Sequence, residues 1–400
     1  MPFPVKSTDV PSTANVLTGQ FERQIGQPVF LTDSTLREGE QTPGVKFGLK
    51  EKLEIAAGLS EFGMHFVSVG FPAVSKEERE ICARIVRGGF KFKTAAMARA
   101  TAADVDIAID VGVDNLRLFL ATSDGHLQSK LGITESEALS RIEKAARHCR
   151  DRGVAFAFSA EDASRTPLAR LVKVYQLASD LGAEFVTFSD TVGILTPHTT
   201  YRIIQILRSL VKAPIGLHCH NDLGLALANS LAGLEAGAQI VSGTVNGIGE
   251  RAGNVCSEEA AVALKVKYGR DLGLNLAAIP ALCDTVHRIC GTTPPGNKAI
   301  TGKWSFTHES GIHVAGVLSN PDSYQPFPPQ MIGRTHEIVF GKHSGRHAVN
   351  YVAGLHGVEL SEAASSMVLT KIKERTEQDA PFTDDEIIAL IKSAGSRSAP

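Results

Sequence analysis

The chain has 400 residues, 43% hydrophobic and 21% charged, with a net charge of -2. That balance belongs to a globular protein and offers no basic surface to nucleic acid or anionic lipid. No apolar run reaches the roughly 20 residues that span a bilayer, and the length calls for one large domain with an appendage, or two to three domains.

Residues 1–27 are rich in Ser, Thr and Pro and contain no apolar signal core, so they read as a flexible arm. Cysteines at 82, 149, 219, 256, 283 and 290 form no CxxC pair, which points to reduced thiols and a cytoplasmic location. From Pro28 onwards, short β-branched runs alternate with longer amphipathic stretches. The predicted strands are Pro28–Thr32, Phe66–Gly70, Phe92–Ala96, Asn115–Leu120, Val154–Ser159, Phe185–Ser189, Ile215–His218 and Ile240–Val245. Helical periodicity runs through Leu49–Gly63 and Thr166–Gly182 between them. About eight such units over 28–275 predict an α/β fold, a (β/α)8 TIM barrel. A doubly wound open sheet competes, but even spacing and polar residues after strand upon strand favour the barrel. Residues 276–400 read as a linker and helical subdomains. Gly291–Ile300 is Pro- and Gly-rich, helices start near Ser361 and Thr383, and Thr383 and Glu386 have capping-box spacing. The final GSRSAP reads as a frayed tail.

Four strand ends carry the chemistry. LTDSTLREGEQ (Leu31–Gln41) sets Asp33, Arg37, Glu38 and Glu40 directly after an apolar run. A solvated turn is the plainer reading of that cluster. In GLHCHND (Gly216–Asp222), strand alternation points His218 and His220 to one side and Cys219 to the other, as a small buried hydrophobe. Two imidazoles with one carboxylate, for which Glu38 is available, leave coordination positions open as a catalytic metal requires. An amidohydrolase carries such an HxH on its first strand, whereas here it falls on the seventh. NGIGERAGN (Asn246–Asn254) fits the dinucleotide pattern through Gly247, Gly249 and Ala252. Glu250 and Arg251 inside it, and its place at the eighth unit, favour a tight turn beside a metal, with Asn254 as a ligand or supporting group. In FSAEDASR (Phe158–Arg165), Ser159 and Glu161 share a face, while Asp162 and Arg165 pair with each other and cap the following helix.

DSTLREGEQ, HCHND, NGIGERAGN and HESGIHVAGVL, in that order, resemble the alkylmalate synthase family, which includes homocitrate and 2-isopropylmalate synthases. The resemblance runs from about Pro28 to about His347. It implies an acyltransferase that condenses acetyl-CoA with a 2-oxo acid in a Claisen-type reaction, using a divalent metal (Mg2+, Mn2+, Co2+ or Zn2+). It also implies Glu38, His218 and His220 as metal ligands, with Asn254 beside them, and Arg37 as the group that steadies charge on the ketone oxygen. Gln41, Ser159 and Thr191 are implied as substrate contacts, with Asp33 in support. His313 and Tyr324, arriving from a partner subunit, would work with Glu161 to take a proton from the acetyl methyl group. The enzyme would then be a homodimer with shared active sites, without nucleic-acid or membrane partners.

The chain departs from the lysine-pathway homocitrate synthases at Ala95, Arg117 and Ala157, where those carry His, Asp and Arg. A pocket-facing Arg117 suits a second anionic group on the substrate. EDASR and the SKLG run (Ser129–Gly132) resemble the homocitrate synthases of nitrogenase-cofactor assembly. 2-Oxoglutarate is therefore the first expectation. Synthases of 2-phosphonomethylmalate or phosphinomethylmalate, Re-citrate, citramalate or 2-isopropylmalate are the alternatives. A lyase like hydroxymethylglutaryl-CoA lyase is the reading from another class, and its relatives lack the HESGIH region.

Overall fold

Eight parallel strands close on themselves, with the last pairing to the first through Phe30↔Ile240 and Asp33↔Gly243. They are β1 (Phe30–Asp33), β2 (Phe66–Gly70), β3 (Lys93–Arg99), β4 (Asn115–Ala121), β5 (Phe156–Glu161), β6 (Val186–Asp190), β7 (Ile215–Cys219) and β8 (Ile240–Gly243). Every predicted strand is present, and the ends differ by a few residues. This computed structural model describes residues 1–3, 23–378 and 380–396.

The strands alternate in character. Val67, Val69, Leu116, Leu118, Phe158, Phe188 and Leu217 point outwards and are buried under the helices. Ser68, Arg117, Ser159, Glu161, Thr187 and His218 line the interior instead. Helix α1 (Leu49–Phe62) stops at Gly63 and buries Ile55, Ala56, Leu59 and Phe62; of the face Leu53, Ala56, Ala57 and Leu59 that its periodicity suggests, Ala56 and Leu59 are buried and Ala57 is exposed. Helix α2 (Lys76–Val86) follows β2, capped by the Ser75 side chain, which accepts from the Glu78 amide. The helix Leu168–Asp180 lies within the predicted Thr166–Gly182 segment.

The barrel unit extends to Thr293 and not to residue 275. The reason is a helix, Ile279–Cys290, that buries Leu282 and Val286 and packs on α1, with Leu282 over Gly58. The division falls inside the Gly291–Ile300 stretch read as a boundary. Most of the predicted N-terminal arm, residues 4–22, lies outside the described residues. Pro2–Phe3 form a strand paired antiparallel with His336 and Glu337 of the second unit, where the Met1 amino group donates to the Ile338 carbonyl.

The second unit, which takes in Met1–Phe3 and the chain from Pro294 onwards, is mostly helical. Helices Arg346–Leu355, Glu362–Glu377 and Asp384–Ser396 share a core of Val349, Val352, Val368, Ile372, Ile387 and Ile391. Ser361 caps the second of these by accepting from the Ala364 amide. Thr383 and Glu386 form the predicted reciprocal cap on the third. That helix runs through Ser396, and the rest of the tail lies outside the described residues. Among the described residues no helix is long and apolar enough to cross a membrane.

One contact tests the helix-to-barrel packing. Buried Tyr175 on the Leu168–Asp180 helix donates its hydroxyl to the Thr187 carbonyl of β6 at 2.8 Å. Tyr175→Phe should lower unfolding free energy by about 1 kcal/mol through that lost bond. Tyr175→Ala should cost about 3–5 kcal/mol through the cavity left behind. Urea unfolding of both variants measures the difference.

Candidate metal centre and active site

After β1 the chain folds back on itself: the Arg37 and Glu38 amides both donate to the Ser34 carbonyl, at 3.0 and 2.7 Å. A 3-10 turn, Gly39–Gln41, follows and leaves Glu38 buried at the barrel mouth. Two strands away, β7 directs His218 inwards, and His220 continues on the same side just past its end. Glu38, His218 and His220 each offer a donor atom, and these atoms lie within 4.8 Å of one another. His218 Nε2 is 3.4 Å from Glu38 Oε1, and its Nδ1 is 3.3 Å from Ser242 Oγ on β8. The two imidazoles stand edge to face, 5.1 Å apart.

Electrostatics favour the protonation states that a metal needs. Burial works against charge on Glu38, but the Arg37 guanidinium in contact with it and the hydrogen bond from His218 outweigh that and hold the carboxyl well below its ordinary range. Burial, with His218 alongside, pushes His220 down to about 4 against the pull of Glu38. His220 is therefore neutral at physiological pH and has a lone pair to give. Its buried Nδ1 has no hydrogen-bond partner among the described residues. Asn254 pairs with His220 in an isolated bridge and donates from Nδ2 to the Ile248 carbonyl at 3.2 Å, while its buried Oδ1 likewise lacks a partner. Two imidazoles, a carboxylate and unsatisfied buried acceptors fit a divalent cation.

A cavity of about 280 Å³ opens beside these groups. Arg37, Gln41, Arg117, Ser159, Glu161 and Thr191 all line it, so the barrel brings together every site residue predicted within it except Asn254, which stands just behind His220. Arg117 faces inwards, its guanidinium 4.1 Å from the Phe185 ring centroid and 5.8 Å from that of Phe66. It makes no hydrogen bond or ion pair among the described residues. Burial pushes its pKa down to about 9, opposed by Glu184 and reinforced by Arg37, which leaves it charged at neutral pH. Ala95 and Ala157 share the interior face with it and are small enough to leave it room.

The NGIGERAGN segment is a tight turn. Asn246 and Arg251 have φ of 61° and 57°. At Gly253, with φ of +79°, a Cβ would lie 1.9 Å from the Gly247 carbonyl oxygen, so only glycine fits. Arg251 binds Asp222 through Nε at 2.8 Å and the Thr191 carbonyl at 2.7 Å, which ties Thr191 to the turn. Asp162 pairs with Arg165 at 2.8 Å as expected, although its side chain caps no helix. Asp33 is fully buried and accepts from the Thr35 amide and the Ser257 hydroxyl. Buried Cys219 faces the helices, as its place in the strand dictated.

His313 and Tyr324 belong to the second unit. Their rings stack there, with centroids 4.3 Å apart, and both are exposed. Two residues near Glu161 escaped sequence reasoning. Lys130 Nζ pairs with Glu161 Oε1, and His126 Nδ1 lies 3.6 Å from the same oxygen. Both sit on a π-helical turn, His126–Leu131, a local geometry with no sequence signature.

Residues 28–286 match the HMGL-like family model, and residues 300–380 match the model described as homocitrate synthase post-HMGL domain-like. The chain belongs to the HMGL-like family. It is 44% identical to the homocitrate synthase AksA of Methanopyrus kandleri, over 95% of this chain and 96% of that protein. Against the homocitrate synthase AksA of Methanocaldococcus jannaschii the identity is 45%, over 91% and 90%. A probable 2-isopropylmalate synthase of Ignicoccus hospitalis is 41% identical, over 91% and 92%. These relatives put the chain in the alkylmalate synthase group that its motifs resemble. The hydroxymethylglutaryl-CoA lyase of Pseudomonas aeruginosa superposes with a TM-score of 0.60 over 66% of this chain and 94% of its own. At 22% identity that likeness shows the fold alone.

The depressed carboxyl of Glu38 has a pH signature in metal-free protein. A folded-state pKa below the ordinary value of 4.5 stabilises the fold above that pH, and the contribution is lost as pH falls below it. With chelator present, the stability gap between wild type and Glu38→Gln should narrow as pH is lowered from 6 to 3, by denaturant titration at each pH.

Proposed function

We propose that this enzyme condenses acetyl-CoA with a 2-oxo acid that carries a second anionic group, and with water, giving a 2-hydroxy-2-carboxymethyl acid and CoA, with 2-oxoglutarate the first candidate. Family membership and the homocitrate synthases among its relatives support the reaction class. The observation that carries the substrate reading is Arg117, an unpaired guanidinium inside the cavity that Glu38, His218 and His220 border.

Glu38, His218 and His220 would hold the divalent cation, with Asn254 Oδ1 close behind. Such a cation, when bound, supplies Lewis-acid polarisation of the 2-oxo group. Arg37 donates to the ketone oxygen as the new carbon–carbon bond puts charge on it. Gln41, Ser159 and Thr191 orient the acid at the cavity wall, and Arg117 takes its distal anionic group. A substrate with an aliphatic tail would cover that guanidinium without pairing it, which is costly. Glu161, with His313 and Tyr324 from a second copy of the chain, removes the proton from the acetyl methyl group. That assignment makes the working enzyme a homodimer with shared sites.

Thiol release from acetyl-CoA, followed with a thiol reagent and added Mg2+ or Mn2+, tests this reading. The panel is 2-oxoglutarate, oxaloacetate, phosphonopyruvate, 2-oxoisovalerate and pyruvate. A dianionic acid should be preferred, and Arg117→Met should lower kcat/KM for it about 10- to 100-fold, as expected for a lost charge-assisted hydrogen bond. Preference for 2-oxoisovalerate or pyruvate, unchanged in Arg117→Met, would contradict the reading. Consumption of hydroxymethylglutaryl-CoA with no oxo acid present, giving acetyl-CoA and no free thiol, would favour the lyase class. Glu38→Gln should be inactive, and near-normal turnover would contradict its role.

A further inference from the structure

Helix α1 carries a lysine on the face that it buries. Lys52 has no exposed surface, and an ammonium is costly to bury unless its charge is matched. Its Nζ lies 2.8 Å from Glu40 Oε2, and 2.8 and 2.7 Å from the two carboxylate oxygens of Glu78. Neither acid belongs to α1. Glu40 lies in the turn after β1, between Glu38 and Gln41. Glu78 lies in the first turn of α2, after β2. Each carboxylate is also tied to its own loop. Glu40 Oε1 accepts from the Phe47 amide at 3.1 Å, and Glu78 Oε1 accepts from the Phe71 amide at 3.3 Å.

The backbone makes room for this arrangement. Gly70 ends β2 with φ of +152°, and a Cβ there would lie 2.0 Å from Glu78 Oε1. One ammonium therefore joins the loops that follow two adjacent strands. Both loops border the cavity, the first through Arg37, Glu38 and Gln41, the second through Phe71. An apolar side chain of similar volume would commonly hold such a position with equal or better stability. What two carboxylates on one ammonium add is fixed direction, set from two sides.

We propose that Lys52 is a positioning residue: its buried ammonium clamps the β1–α1 loop to the β2–α2 loop and so fixes where Glu38 and Gln41 stand in the site. The clamp rests on the contacts to Glu40 and Glu78, and its consequence for the reaction rests on the proposed role of Glu38. Lys52→Met in the full chain removes the ammonium at nearly constant volume. Glu40→Gln is the milder variant, since it keeps an acceptor for the Phe47 amide, and it serves if Lys52→Met does not fold.

Amide hydrogen exchange of the metal-free protein is read first, because it requires neither metal nor activity. Exchange should accelerate about tenfold or more across residues 37–48 and 71–78, with strands β4 to β7 unchanged. The Mn2+ Kd and the KM for the oxo acid should rise about tenfold or more, while the KM for acetyl-CoA stays within about twofold. A lower melting temperature with wild-type exchange in both loops and an unchanged Mn2+ Kd would overturn the proposal, because a plain structural pair gives that result. If the wild type binds no divalent metal, the reading of Glu38 fails, and the exchange data still decide the clamp.

Discussion

A closed parallel barrel leaves each strand residue two choices, the interior or the helical layer, in strict alternation. The rest of this molecule follows from that constraint. Apolar residues such as Val67, Leu116, Phe158 and Leu217 take the outer positions and form the core with the helices. The inner positions are then free to be polar, and their chemistry collects at the ends where the strands give way to loops. Glu38 and His218 come from opposite ends of the barrel sequence, yet closure leaves only β8 between their strands. Ser242 on β8 marks the junction, with its hydroxyl 3.3 Å from both Ser34 Oγ and His218 Nδ1.

Charge in this barrel is arranged in layers. At the mouth, Arg37 touches Glu38, and the pair keeps the carboxylate ionised against burial. Deeper in, Arg117 stacks on Phe185 and has no anion of its own within hydrogen-bond reach. Behind the first loop, Lys52 answers two carboxylates. Two of the three cations are matched by the protein, and the unmatched one faces the cavity. A guanidinium at the cavity wall between aromatic faces is stabilised for charge without being neutralised, which suits the anionic group proposed for it.

The barrel was legible in the sequence because its two periods, of two and 3.6 residues, alternate cleanly from Pro28 onwards. Strand ends were less so: β3 runs on to Arg99 and β5 to Glu161, since pairing with neighbours, not local composition, decides where a strand stops. The boundary near residue 275 was misplaced because Ile279–Cys290 resembles any amphipathic helix, and only packing on α1 assigns it to the barrel. The HxH spacing and the charged turn after β1 marked Glu38, His218 and His220 as candidates, and the fold brings their donor atoms within 4.8 Å of one another. Lys52 was not readable, because a lysine in LKEKLEIAAG looks like a solvated position until the fold surrounds it. Lys130 was hidden for a related reason, since a π-helical turn carries it to Glu161.

The claim on which the reaction depends is that Glu38, His218 and His220 bind one divalent cation inside the barrel. Pulsed EPR of the protein with one equivalent of Mn2+ addresses it directly, because nitrogen couplings report imidazole ligands whatever the substrate. Coupling from two imidazoles in the wild type, falling to one in His220→Ala, is the expected result. Mn2+ that shows no nitrogen coupling, or the same coupling in wild type and His220→Ala, would contradict the metal assignment.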